Sequence, residues 1–151
     1  MRKARGFTLI EISVAIGIIG ILFFAMLPVF SNMLGVLELK SLARSIVSDL
    51  RFAQEKAIGG KTTVSVYFLP RTLLGDPAGY VIKKMNVFKN KEDIVKRFKL
   101  PAKFDFLEAV TIQFAGTGFL PPGGSGTVRL EDRSSRVKRI VVSSAGRIRM
   151  E

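Results

Sequence analysis

Residues 7–30 of this chain form a long, mostly apolar run in which Glu11 is the only ionisable side chain. A short basic leader carrying Arg2, Lys3 and Arg5 precedes them and stops at Gly6. Residues 12–30 form a run of 19 positions without a charge. As a helix rising ~1.5 Å per residue, such a run covers roughly 28 Å, about one hydrocarbon core. The cations on its N-terminal side keep the leader in the cytoplasm and send the remainder across the membrane. A secretory signal has an apolar region of only ~7–15 residues that ends in a small-residue cleavage site. This run is longer and closes on Phe24-Ala-Met-Leu-Pro-Val-Phe30, which offers no such site. A plain membrane anchor accounts for everything except Glu11 and the Gly6-Phe7 junction. A carboxylate inside a span costs ~2.5–3.5 kcal/mol when central and less near an end, so Glu11 calls for a positive partner. Another chain or a new N-terminus would supply one.

The helical pattern continues past the membrane-length run. Over residues 32–58, Leu39, Leu42/Ala43, Ile46, Leu50, Ala53 and Ala57 recur at helical spacing, with charged residues on the other faces. Gly59-Gly60 predicts a glycine C-cap. The whole helix, residues 7–58, would be about 78 Å long if straight. Beyond it the period becomes two. Strands are predicted over residues 62–69, 79–85, 94–100, 110–114, 126–131, 136–142 and 147–150, separated by breakers at 75–77, 101, 121–124, 132–135 and 145–146. The expected fold class is α+β: a long N-terminal helix, half transmembrane and half amphipathic, packed on a C-terminal meandering antiparallel β-sheet domain.

Gly6-Phe7-Thr8-Leu9-Ile10-Glu11 resembles the processing site of type IV pilins and type II secretion pseudopilins. The resemblance implies that a prepilin peptidase cuts between Gly6 and Phe7, that Phe7 becomes N-methylated, and that Glu11 occupies the family's acidic assembly position. Pro28 falls where many members carry a helix-kinking proline. Cleavage frees an amine at Phe7, four residues from Glu11. In a filament, Glu11 of one subunit would pair with the Phe7 amine of a neighbour. In low dielectric that pairing selects register, because the alternative is an unpaired buried charge. Further along, Ala43 to Ala57, then Phe114-x-x-x-Gly118-Phe119-x-Pro121, then Ile140-Val-Val-Ser-x-x-Gly146-Arg147-Ile-Arg149 are similar to the minor pseudopilins that join GspH with FimT. The implied organisation is a cleaved leader over residues 1–6, a transmembrane and filament-core helix over 7–30, its amphipathic continuation over 31–60, and a pilin-like periplasmic β-rich domain over 61–151. The chain would cross the bacterial inner membrane once, with other pilin or pseudopilin subunits and an inner-membrane assembly platform as partners.

Composition narrows the chemistry. The chain has no cysteine and no histidine, so the usual nucleophile–base pairs and zinc ligand sets are missing. The acids are scattered through the head, and an enzyme, a metal site or a cofactor is not expected. Net charge is +12, of which the leader supplies 3, leaving +9 from Phe7 onward. Residues 79–103 hold eight Lys/Arg against two acids, and residues 126–151 hold seven against three. Such a balance suits solubility or an anionic partner.

Two readings follow. In the first the chain is a structural minor subunit of a type II secretion pseudopilus. In the second, implied by the FimT-like Gly146-Arg147-Ile148-Arg149, it is a minor pilin that binds DNA for uptake. Arg147 and Arg149 alternate as residues on one strand face do, and Lys138 and Arg139, with Arg133 and Arg136 near them, would extend a phosphate-binding patch. An alternating basic strand is also an ordinary solvated edge. No aromatic residue is interleaved with it in the sequence.

Overall fold

A computed structural model of the chain describes residues 8–72, 76–86, 91–121 and 126–151, with the side chains of 27–29 and 31 left aside. It divides into two compact units, residues 1–38 and 39–151. One helix, α1, runs Leu9–Gly60.

In the first unit every described side chain up to Met26 is exposed. The segment Leu9–Met26 has a mean hydropathy of 2.5 and none of it is buried, so by length and composition it is able to cross a membrane. The helix begins at Thr8, whose Oγ1 accepts a hydrogen bond from the Glu11 N–H at 3.3 Å. In return the Thr8 N–H and hydroxyl each donate to Glu11 Oε2 at 3.4 Å. This is the reciprocal capping box of a Thr-x-x-Glu start.

The second unit is built around the C-terminal part of α1. Leu39, Ala43, Ile46, Leu50, Ala53 and Ala57 are all buried, and they are the stripe read from the sequence. The strands are β1 (Val64–Leu69), β2 (Gly79–Asn86), β3 (Lys91–Lys99), β4 (Phe104–Phe106), β5 (Val110–Phe114), β6 (Gly126–Asp132), β7 (Val137–Val142) and β8 (Ile148–Met150). They form two sheets rather than the single expected meander: β3-β2-β1-β5 and β4-β6-β7-β8, with every pairing antiparallel. The difference comes from β4, a three-residue Phe-Asp-Phe strand too short to show a period. It pairs with β6, which leaves β5 to return to β1. Phe106 of β4 then meets Phe68 of β1 edge-on at 5.2 Å, joining the two sheets through one core.

One buried polar cluster ties helix to sheet. Asp49 of α1 accepts a hydrogen bond from the Tyr80 hydroxyl at 2.5 Å and a charged one from Lys96 Nζ at 2.6 Å. Burial first, and then this bond to Asp49, push the Tyr80 phenol well above its ordinary range. Tyr80 therefore stays a neutral donor. A carboxylate sunk in the core is tolerated here because both neighbours satisfy it.

The end of α1 differs from the expectation. The helix runs through both glycines, and the left-handed residue is Lys61, with φ 44°. The Lys61 N–H donates to the Ile58 carbonyl at 3.1 Å and the Thr62 N–H to the Ala57 carbonyl at 3.2 Å. These are the two bonds of a Schellman close with Lys61 in the left-handed place. A left-handed backbone costs an L-residue with a Cβ roughly 1–2 kcal/mol. Glycine relieves that and gives back about 0.4–1 kcal/mol in unfolded-chain entropy. Lys61→Gly is therefore expected to raise stability by up to about 1 kcal/mol, read as an upward Tm shift of several degrees by calorimetry.

Candidate functional site

Two regions carry chemistry, one in each unit, and each is described by itself.

In the first unit the feature is Glu11. Its carboxylate lies in the first turn of α1, where the helix dipole favours negative charge. Both of its capping bonds fall on Oε2. Gly6 and Phe7 lie outside the described residues. Pro28 lies within the helical span of α1, and its side chain is outside the described residues. Thr8 was not singled out from the sequence as a partner of Glu11. The signal was present as Thr-x-x-Glu ahead of an apolar run.

In the second unit the feature is the outward face of β6-β7-β8. The register sets Arg129 opposite Arg139 and Val141 opposite Arg149. Ile140 and Val142 of β7 point into the core, so Arg139 and Val141 point away from it. Arg149 stands between Ile148 and Met150, which pack against the core, and is itself exposed. Arg147 is exposed one residue before β8. Arg139, Arg147 and Arg149 thus share the solvent side, and none of them makes an ion pair among the described residues. Arg129 joins them, held loosely by Glu108 at 3.5 Å.

The other basic residues of this region sit differently. Lys138 alternates to the opposite side, opposite the buried Leu130. Arg136 is committed to Asp132 at 2.7 Å. Burial opposes ionisation of Asp132, but hydrogen bonds from the Arg136 N–H, its guanidinium and the Ser134 N–H outweigh it and hold the carboxyl below its usual range.

The turn leading into β8 is locked from the helix side. Gln54 Nε2 donates to the Gly118 carbonyl at 2.8 Å and to the Gly146 carbonyl at 3.1 Å. Gly118 has φ 83° and Gly146 φ 73°. A Cβ on Gly146 would lie 2.4 Å from the Gly118 carbonyl oxygen and 2.5 Å from Gln54 Nε2. The Leu120 N–H donates to the Ser144 carbonyl at 3.0 Å, so residues 118–120 run alongside 144–146. Leu120 is buried, and its neighbour Phe119 is 55% exposed. The fold therefore places an aromatic side chain beside the Arg147 turn, which the linear order of the sequence did not show. No group of three or more acidic, His or Cys residues is disposed to hold a metal among the described residues.

Comparisons with known proteins bear on this arrangement. Residues 1–27 match the prokaryotic N-terminal methylation motif. Residues 42–146 match the model of the type II transport protein GspH. The chain belongs to the GspH family. The two glycine turns held by Gln54 lie inside the GspH match, and Thr8 and Glu11 lie inside the methylation motif. The fold is that of the type IV minor pilin FimU of Pseudomonas aeruginosa. One crystal form is 19% identical with a TM-score of 0.57, covering 76% of this chain and 88% of that one. Another is 17% identical with a TM-score of 0.54, covering 74% and 91%. Comparison with curated proteins returns no match. The GspH family makes this chain a pilin- or pseudopilin-like structural subunit that assembles with others of its kind.

The Gln54 lock has a direct test. Gly146→Ala adds a Cβ into the Gly118 carbonyl at a left-handed backbone. It is expected to destabilise the head by about 2 kcal/mol or more, seen as a lower denaturation midpoint with an unchanged slope.

Proposed function

We propose that this chain is a minor pseudopilin of the type II secretion pseudopilus. A prepilin peptidase removes residues 1–6, Phe7 is N-methylated, and residues 7–30 hold the chain across the inner membrane. The leader side is cytoplasmic and the head periplasmic, until the assembly platform passes the stem into the filament core. The observation that carries this reading is the stem itself: an unburied span at Leu9–Met26 whose one carboxylate already caps the helix.

The capping bonds engage only Oε2 of Glu11, so Oε1 keeps its lone pairs for the Phe7 amine of a neighbouring subunit. A lone carboxylate carried into a filament core without that cation would be strongly disfavoured. Pro28 supplies no N–H to the helix ladder and leaves the carbonyl four residues earlier unpaired, which allows the stem to bend as it packs. Glu11→Ala should leave membrane insertion intact and reduce the chain's presence in sheared filaments tenfold or more. Mass spectrometry of the wild-type chain from those filaments should find it starting at Phe7 and heavier by one methyl group. Normal incorporation of the variant, or any other starting residue, would overturn this reading.

A second reading rests on a separate observation. Arg139 and Arg149, with Arg129, face solvent together on one sheet, and Arg147 is exposed one residue before its last strand. Such a face suits the phosphates of DNA in a sequence-independent, salt-sensitive way. Replacing Arg147 and Arg149 together by Ala should abolish a DNA band shift seen at low salt and leave the fold intact. A wild-type protein that leaves DNA unshifted at about 50 mM salt removes this reading.

A further inference from the structure

Among the described residues, the exposed aromatic beside the arginine face belongs neither to the core nor to the side chains packed against it. Phe119 is 55% exposed, while its neighbours on either side, Gly118 and Leu120, are buried. It is presented rather than sheltered, and the segment that presents it is rigidly held. Gln54 fixes the carbonyl before it, and Ser144 fixes the amide after it. The same Gln54 nitrogen fixes Gly146, the residue before Arg147. Phe119 and Arg147 therefore each sit one residue from a single contact between Gly118 and Gly146. By chain geometry their Cα atoms lie within roughly 14 Å of each other. Arg149 follows two residues on, exposed like Arg147.

An apolar ring and two arginines that make no ion pair among the described residues, set on a hydrogen-bonded support, suit a π-face flanked by phosphates. Bases stack on aromatic side chains in unpaired strands, whereas in a duplex their faces are hidden against one another. We propose that Phe119 is a base-stacking residue and that, with Arg147 and Arg149 on the adjoining phosphates, it makes this surface a site for single-stranded DNA in preference to duplex. This rests on the DNA reading of the arginine face, and it adds a residue, a strand state and a contact that the arginines alone do not require. Phosphate contacts hold duplex and single strand alike. Only the ring distinguishes a strand with exposed bases.

The test uses the full-length chain in detergent and three fluorescent probes of equal length: oligothymidylate, an abasic oligomer with the same backbone, and a duplex. Wild type should bind oligothymidylate at least fivefold more tightly than the abasic strand, the lower end of what one stacked base contributes. Phe119→Leu keeps an apolar side chain at the site and should close that gap while leaving the abasic affinity unchanged. Arg147→Ala with Arg149→Ala should weaken all three probes. The chain contains no tryptophan, so Phe119→Trp introduces a single indole. Its emission should be quenched by oligothymidylate and left unchanged by the abasic strand.

If wild type binds oligothymidylate and the abasic strand equally, stacking is overturned and the phosphate reading stands. If Phe119→Leu retains the full gap, another residue does the stacking and the proposal fails. If no probe binds, the DNA reading and the stacking fall together.

Discussion

One helix face is shared by two sheets, and the rest of the head depends on it. Leu39, Ala43, Ile46, Leu50, Ala53 and Ala57 lie along the buried side of α1. They share one core with the inward side chains of both sheets, among them Phe68 and Ile82 of the first and Leu130 and Ile140 of the second. The helix also supplies the two polar anchors that reach across. Asp49 holds Tyr80 and Lys96 of the first sheet, and Gln54 holds the two turns next to the second. Hydrophobic contact is non-directional and fixes how much is buried. These few hydrogen bonds have direction, and they fix which residues meet.

The same helix begins in a segment with the opposite character. Over Leu9–Met26 none of it is buried against the described residues. One oxygen of its only carboxylate caps the helix start, through Thr8. A subunit of this family assembles with others of its kind, so a greasy stem whose one acid keeps its second oxygen out of the cap is a consistent design. The head meanwhile keeps several of its acids internally occupied. Glu92, for example, is hydrogen-bonded by Tyr67 and paired with Lys83, which in that order hold its carboxyl below its usual range. With such acids engaged, the cations of the outward face are left to set the field around it.

Much of this was legible in the sequence. The buried stripe, the long helix and six of the strands followed from period, because each of these elements is long enough to show one, and the three-residue β8 was read from the Arg-Ile-Arg alternation at its start. Three things were not. The strand Phe104–Phe106 is too short to have a period, and its absence from the reading merged two sheets into one. Gly59-Gly60 looked like a helix stop, but tertiary contact decides the matter. The backbone of Gly116 presses against Lys61 so closely that a Cβ there would come within 2.7 Å, and Lys61 takes the left-handed turn. The candidate site was half visible. The arginines could be read, whereas Phe119 lies 28 positions before Arg147 and meets its turn only in the fold, through Gln54 and the Leu120–Ser144 hydrogen bond. Lys138 and Arg139 are neighbours in sequence, yet a strand sends them to opposite sides.

The Gln54 amide has two protons to give and uses one nitrogen to hold two loops that are far apart in the chain. Each loop also closes on itself, Gly118 N–H donating to the Ala115 carbonyl and Gly146 N–H to the Ser143 carbonyl, both at 2.8 Å, and the amide ties the two closed turns together. A change that loosens one releases the tether of the other, so their substitutions should not add independently. Any drift in one turn over evolution would have to be answered in the second or in the helix, and the three segments form a single heritable unit.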